Sequence, residues 1–424
     1  MATFAPFRAV RFRRDPAGSG GSDLGDLVAP PYDVLSDADV AALRARHEHN
    51  IVHIDVPAPS ATTPDRYAVA AHLLDAWLCE GVLVRDDKPS FTIYRMQFVD
   101  EVGRSRDLVG VLGALEVVDE GAGRVLPHER TTPKASTDRL DLTRATRANL
   151  SPVWGLSLAS GLTAELAAPG APLGEVTVDG VRHVVERVTD PERIARISAI
   201  IATDDVLIAD GHHRYGIARR LRDEVVESWA GIGATLAFVG ELVADQLSID
   251  AIHRLVSGVD LAELRSRLER DFVLTAGPRL TAENPASSTG ADNADSAASA
   301  AGAGGAEVLA TLVDQARLAL LTPDGEVTWL TAREGAFDGI RALDGAWLEH
   351  TLDGSAAVLD YQHGVAEALA ALQAGRATAA ILIRPTSLAE IERTAREGLL
   401  MPPKSTFFTP KLRTGFVIRP LDGQ

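Results

Sequence analysis

A chain of 424 residues with 46% hydrophobic and 24% charged side chains has the composition of a globular protein large enough for two or three domain-sized cores. Its net charge of −17 argues against sequence-independent nucleic-acid binding, which rests on neutralising phosphates with Lys and Arg, so no nucleic-acid partner is expected. A single cysteine, Cys79, excludes an intramolecular disulfide and any four-cysteine zinc site, and no apolar run is long enough to span a bilayer.

In chain order, Met1 to Pro6 lacks the charged-then-apolar pattern of a secretion signal, so a cytoplasmic protein without a membrane partner is expected. Residues 4–12 read as an entry strand, followed by a Gly/Ser-rich loop at 17–22 and an apolar run at 24–29. Pro30 and Pro31 then force an extended turn that sets where Tyr32 and Asp33 point. Asp33 suits either a place beside a ligand or an ordinary turn, since Ser36 is an N-cap residue ahead of a helix predicted over 37–46. Without a carboxylate and a histidine together at fixed helical spacing, His47, His49 and His53 read as a solvated helix end rather than a metal cluster. A helix over 64–79 places Tyr67, Ala71, Leu74 and Leu78 on a core face, and Cys79 in this apolar run reads as core rather than nucleophile. Alternation at 91–98 and a Gly-spaced apolar run at 108–117 predict an antiparallel hairpin across the turn at 100–103.

Residues 126–151 carry the side chains that phosphate chemistry requires. His128 and Glu129 suit a general base or a Mg²⁺ ligand. Arg130, Lys134, Arg139 and Arg144 suit phosphate neutralisation, and Thr131 and Asn149 suit orientation of a substrate. Asp138, Arg139, Asp141 and Arg144 also lie at helical spacings, which describes a salt-bridged, solvated helix equally well. That second description fits Asp141, whereas 127–134 has no apolar face and favours function.

A strand at 154–158 precedes a hairpin, 175–178 with 181–188, across Asp179-Gly180. Asp190 caps a helix over 191–201 that has proline in its first turn. The central stretch follows: Val206-Leu207-Ile208-Ala209-Asp210-Gly211-His212-His213-Arg214-Tyr215. An apolar run stopped by Asp-Gly reads as a buried strand, and Ala218, Leu221, Val225 and Val226 recur at helical spacing just after it. A helix start offers free N–H groups and the positive end of the helix dipole, which favour phosphate. Arg214 can grip two phosphate oxygens, while His212 and His213 can donate, relay a proton or bind metal. In the plain alternative Asp210 caps the helix, Gly211 makes the turn and the histidines are solvated. Four consecutive functional-type side chains favour a ligand site.

A strand at 234–243 comes next. Ile249, Ile252 and Leu255 read as packing, and His253-Arg254 as structural, before a helix over 261–272. Residues 281–305 collapse to Ala, Ser, Gly, Asn and Asp and read as a disordered insert. A hairpin at 317–321 and 327–331 turns over Pro323-Asp324-Gly325, then helix 365–374, strand 379–383 and helix 388–397 follow. The segment Met401-Pro402-Pro403-Lys404-Ser405-Thr406-Phe407-Phe408-Thr409-Pro410-Lys411 is extended. It reads either as an anchored strand with solvated lysines or as a flap whose Lys404 and Lys411 close over a phosphate. The expected organisation is a core over 1–280, an insert at 281–306 and an α/β C-terminal region over 307–424 packing on the core.

The Asp-Gly-His-His-Arg-Tyr box at 210–215 resembles the Gly-Gly-Cys-His-Arg-Tyr box of sulfiredoxin and the related box of free-serine kinases in the ParB/sulfiredoxin superfamily. The resemblance implies that His213 and Arg214 hold nucleotide phosphates, joined by Gly211 and Tyr215 of the same box. Sulfinic-acid chemistry is not implied, because His212 stands at the cysteine position. Over nearly its whole length the chain resembles the bacterial DUF1015 family, through Ala29-Pro30-Pro31-Tyr32-Asp33-Val34, His128-Glu129-Arg130-Thr131, Asn149-Leu150-Ser151-Pro152, the 210–215 box and Met401-Pro402-Pro403-Lys404-Ser405-Thr406.

No Walker A loop, Rossmann glycine fingerprint or Gly-x-Ser-x-Gly elbow occurs in a suitable context. The fold expected is mixed α/β with a ParB/sulfiredoxin-like core. The function expected is Mg²⁺-dependent phosphoryl transfer, as kinase or phosphatase, on a small phosphorylated metabolite with ATP, ADP or CTP as co-substrate. Serine or phosphoserine is the substrate that the resemblance implies. Glu129 or Asp210 would hold metal or take a proton, with His128 and His212 as further catalytic candidates and Lys134 neutralising charge. The alternative is a nucleotide-binding switch or scaffold of the ParB type, without turnover. A homodimer is compatible with either.

Overall fold

The computed structural model describes residues 2–13, 23–60, 62–100, 103–129, 136–225, 229–280, 304–402 and 404–422. The expected loop at 17–22 and nearly all of the expected insert, 281–303, lie outside these residues. The fold is mixed α/β, as expected, in two compact units. The first comprises Met1–Ser248, Leu388–Pro403 and Phe408–Gln424; the second comprises Ile249–Ser387 and Lys404–Phe407. Among the described residues no helix is long and apolar enough to cross a membrane.

The first unit is built on a nine-stranded sheet. Its strands are β1 (Phe4–Ala5), β2 (Phe91–Val99), β3 (Ser105–Glu116), β4 (Val125–Leu126) and β5 (Val153–Ser157). They continue with β6 (Ala171–Val178), β7 (Val181–Val188), β8 (Val206–Asp210) and β9 (Ala234–Glu241). The spatial order is β4-β8-β5-β9-β3-β2-β7-β6, with β1 paired to β3. The two hairpins expected in this part of the chain form, β2 with β3 and β6 with β7. At the second, Asp179 and Gly180 both take positive φ, the conformation a tight two-residue hairpin turn demands. Strand β8 runs parallel to β4 and antiparallel to β5, so its C-terminal end at Asp210 reaches the margin of the sheet beside the start of β5.

The helices that matter to the site are α1 (Asp37–Arg46), α2 (Arg66–Cys79), α3 (Ser136–Thr146), α4 (Pro191–Ile201) and α5 (His212–Glu224). Ser36 caps α1 in a capping box with Asp39, and Asp190 caps α4 by accepting from the Arg193 amide at 2.8 Å. Helix α4 delivers Ile197 and Ile201 to a core shared with Ile93, Val111, Val206 and Val239 from the sheet. A second core gathers Phe12, Leu43, Ile51, Ile54, Leu74 and Trp77 around α1 and α2.

Three local expectations change. Residues 4–12 form two short strands in different sheets: Phe4 pairs with Leu115, while Val10 pairs with Arg85. Pro6, between them, cannot donate to a ladder. Helix α2 starts at Arg66 behind an Asp65 cap, and its buried stripe is Ala70, Leu74 and Trp77. The large Trp77 ring takes the core position. Cys79, two residues further, is rotated about 200° around the axis and is exposed, contrary to its expected place in the core.

The second unit carries a six-stranded sheet of β10 (Ile252–Ser257), β11 (Phe272–Arg279), β12 (Leu318–Leu321), β13 (Glu326–Ala332), β14 (Val358–His363) and β15 (Ala379–Leu382). The order is β11-β13-β12-β15-β10-β14, every pair antiparallel. His253 and Arg254 are buried in β10, where His253 Nδ1 accepts from the Ile383 amide at 3.3 Å.

Strand β3 is buried throughout Leu108 to Leu115, which is possible because Gly110 and Gly113 leave space for the rings of Phe238, Phe4 and Phe91. A Cβ at Gly110 would overlap the Phe238 ring. Gly110→Ala is therefore expected to destabilise the protein by about 1–3 kcal/mol, read as a lower urea midpoint with an unchanged slope.

Candidate functional site

The turn from β8 into α5 is set by Gly211, whose φ of +86° is left-handed and open to glycine at little cost. A Cβ there would also stand 3.1 Å from the Arg214 guanidinium. Gly211 is the N-cap, so no side chain satisfies the first-turn N–H groups from that position. Asp210 does not cap the helix. Its carboxylate accepts from Arg214 Nη2 at 2.8 Å and from Lys411 Nζ at 3.1 Å.

Arg214 is deeply placed, with its side chain only 10% exposed. Nη1 donates to the Pro152 carbonyl just before β5, and Nη2 also lies 3.7 Å from Asp33. Its Nε–H is buried without a hydrogen-bond partner. Burial works against the charged guanidinium, but Asp33 and Asp210 outweigh it and hold it protonated. For Asp210 burial acts upward, yet Lys411 and Arg214 keep the carboxyl well below the usual carboxylate range.

Two further segments complete this side. Buried Asn50 donates to the carbonyls of Asp26, at 2.7 Å, and Val28, at 3.2 Å, and accepts from the Val52 amide at 2.9 Å. It thereby ties the stretch leading to Tyr32 and Asp33 to the short helix Val52–Asp55. Asp55, at the end of that helix, is 3% exposed and accepts from Arg139 Nη1 at 3.3 Å through Oδ1, while its Oδ2 is buried without a partner. Burial pushes the Asp55 carboxyl up, against the pull of Arg139 and Arg214. Arg139, on α3, also donates to Asp138 at 2.7 Å and lies 4.2 Å above the Tyr32 ring. Tyr32 itself is pushed up to about 12 by burial. A pocket of about 50 Å³ is lined by Tyr32, Asp55, Arg139, Ser151 and Arg214.

The opposite side of the junction is built around two histidines. His128 is fully buried and its Nδ1–H donates to the Ile208 carbonyl at 2.7 Å. The His128 amide donates in turn to His212 Nε2 at 3.4 Å, and the two rings meet edge to face at 4.7 Å. Burial pushes His128 down to about 4, and burial with His128 lowers His212 well below its ordinary value. Both are neutral imidazoles at pH 7. His212 and Glu129 line a separate cavity of about 300 Å³ together with Glu120, Tyr215 and Arg219.

The structure thus brings together Asp210, Gly211, Arg214 and Arg139, and places Glu129, His128 and His212 on the other side. Asn149 lines the charged pocket, but its Oδ1 accepts from the Leu236 amide at 3.0 Å and from Arg419 at 3.2 Å. The Tyr215 hydroxyl accepts from the Val118 amide at 2.9 Å and donates to the Glu116 carbonyl at 3.0 Å, so it anchors α5 to the end of β3. His213 is half-buried in the first turn of α5. Lys404 belongs to the second unit, where its carbonyl accepts from Arg254 at 3.3 Å. Arg130, Thr131 and Lys134 lie outside the described residues. Among the described residues no three His, Cys, Asp or Glu side chains gather as a metal-ligating group, and the expected Glu129–Asp210 pair is divided between the two sides. Sequence reasoning missed Asp55. The available signal was a carboxylate inside the apolar run Ile51-Val52-His53-Ile54-Asp55-Val56.

Fold and junction define a mixed α/β protein with an ion-paired pocket at a strand-to-helix turn. The chain belongs to the family described as protein of unknown function (DUF1015), whose model matches residues 4–346. No curated protein matches the sequence. Among solved structures it is similar to a conserved hypothetical protein from Pyrococcus furiosus at 12% identity and a TM-score of 0.36, covering 70% of this chain and 92% of that one. A free serine kinase variant in complex with AMP matches at 13% identity and a TM-score of 0.37, covering 69% and 89%. SbnI with C-terminal truncation from Staphylococcus aureus matches at 13% and 0.36, covering 73% and 87%.

The neutral burial of His128 has a consequence for stability. Its folded value of about 4 lies below the unfolded value of 6.5, so the unfolded chain binds the extra proton first on acidification. The stabilisation is fully present above pH 6.5 and is lost as pH falls toward 4, with a span on the order of 3 kcal/mol. Urea unfolding between pH 7 and pH 4 should show this decline, and His128→Gln should make it shallower, the other buried histidines keeping their own share.

Proposed function

We propose that the protein is a phosphotransfer enzyme, a kinase or phosphatase of a small metabolite, with a nucleotide phosphate held at the 210–215 turn. The observation that supports this best is the charged pocket beside the start of α5. Among the described residues, Arg214 Nε and Asp55 Oδ2 are both buried without partners there, one a donor and the other an acceptor. Buried polar atoms without partners are uncommon, and a phosphate with a hydroxyl acceptor is a ligand chemistry that suits such a pair. The N–H groups at the start of α5 and the guanidinium of Arg214 suit phosphate oxygens, with His213 in the same turn.

Asp55 is the better proton acceptor of the pocket carboxylates. Burial raises its affinity for a proton above that of an ordinary carboxylate, against the pull of Arg139 and Arg214. Asp210, held low by two cations, positions Arg214 and Lys411 instead. Magnesium needs only one or two protein carboxylates and keeps water or phosphate oxygens otherwise, a demand the pocket's donor set can meet. Asp33, 41% exposed beside Arg214, is the residue that would hold it, and the ion would supply neutralisation of phosphate charge. Asp210 fits that role less well because Lys411 and Arg214 already occupy both of its oxygens. Serine or phosphoserine is the substrate favoured by the sequence resemblance.

The test is turnover by purified protein with Mg²⁺, offering ATP, ADP or CTP with serine, and separately phosphoserine alone. Asp55→Asn should keep nucleotide binding by calorimetry and lower kcat by roughly 10²-fold or more. Glu129→Gln, on the other cavity, should have the smaller effect. Wild-type binding without turnover would replace the enzyme by a non-catalytic switch, and binding that survives loss of both His213 and Arg214 would displace the site.

A further inference from the structure

A third cavity, of about 270 Å³, lies apart from both sides of the junction. Arg8, Arg85 and Arg419 line it with Pro6, Phe7 and Pro420, and among the described residues no carboxylate lines it. In a chain of net charge −17 such a lining stands out. The state of the three cations matters more than their number. Arg419 is 6% exposed, and among the described residues its guanidinium is held by neutral acceptors: Asn149 Oδ1 at 3.2 Å, the Ala234 carbonyl at 2.9 Å and the Gly231 carbonyl at 2.8 Å. Its Nε–H is buried without a partner. Arg8 donates to the Asp86 carbonyl at 2.8 Å and takes part in no ion pair among the described residues. Arg85 alone has an acidic partner, Asp422 at 2.8 Å, and that pair is at the rim, 28% and 50% exposed.

A buried guanidinium keeps its proton, so Arg419 brings a charge that the surrounding dipoles stabilise but do not neutralise. Burial lowers it to about 10, still well above physiological pH. We propose that this cavity is a binding site for a small organic anion with a phosphate or carboxylate head and an apolar body. The head would sit among Arg8, Arg85 and Arg419, and the body against Phe7, Pro6 and Pro420. The site is separate from the pocket beside α5, where Arg139 and Arg214 already face Asp33, Asp55, Asp138 and Asp210. One side chain touches both: Asn149 accepts from Arg419 and lines the α5 pocket. An anion at Arg419 therefore acts on a hydrogen bond that reaches the wall of the other site.

The experiment titrates the full chain with phenyl phosphate, benzoate and inorganic phosphate by calorimetry, and maps protection by hydrogen exchange. Phenyl phosphate or benzoate should bind more tightly than inorganic phosphate, and whichever of the two is tighter names the head group. Binding should persist in Arg214→Gln and weaken roughly tenfold or more in the double variant Arg8→Gln/Arg85→Gln. Protection should appear over residues 5–8 and 229–234. No binding, undiminished affinity in the double variant, or protection confined to 210–216 would each overturn the proposal. If the double variant fails to fold, the wild-type protection map decides.

Discussion

The buried guanidinium of Arg214 is the constraint around which the first unit's site is arranged. An arginine side chain cannot shed its proton on burial, so counter-charge and acceptors must come to it. Asp210 supplies charge from four residues earlier, Asp33 from the N-terminal region, and the Pro152 carbonyl supplies an acceptor. Lys411 then joins Asp210 from the C-terminal segment. Three stretches far apart in sequence converge on one cation, and a fourth brings a second cation to its counter-ion Asp210. Such clusters add little net stability, since desolvation offsets most of the Coulomb gain, and removing one member leaves a charge stranded.

Helix α5 divides two chemistries. One face presents Arg214 to a pocket of opposed charges; the other presents His212 and Tyr215, whose polar atoms bond main-chain groups, to a cavity that Glu120, Glu129 and Arg219 also line. The division follows from helical geometry, because residues 212 and 214 lie about 200° apart around the axis. It also separates general-base candidates by electrostatics. His128 and His212 are kept neutral by burial, Asp210 is kept ionised by its cations, and Asp55 is the carboxyl that burial raises.

Much of the secondary structure was legible because its signals are local. Ser36, Asp190 with Pro191, and Asp179-Gly180 each specify a cap or turn within four residues, and each appears where expected. The strand-to-helix turn at Asp210-Gly211 was equally readable, since a positive φ after an apolar run asks for glycine. Burial was less readable. Tyr67, Ala71, Leu74 and Leu78 share a helical stripe as plausible as Ala70, Leu74 and Trp77, and the need to bury the Trp77 ring decided between them.

The sequence by itself determined the mixed α/β class, the family, the position of the turn before α5 and the presence there of Gly211 and Arg214. All of these rest on short-range patterns of apolar period, capping and backbone conformation. Only the tertiary structure decided which charges meet. Asp55 joins Arg139 across 84 residues, Lys411 joins Asp210 across 201, and Asn149 joins Arg419 across 270. Such pairings depend on where the chain crosses itself, and no local pattern encodes that.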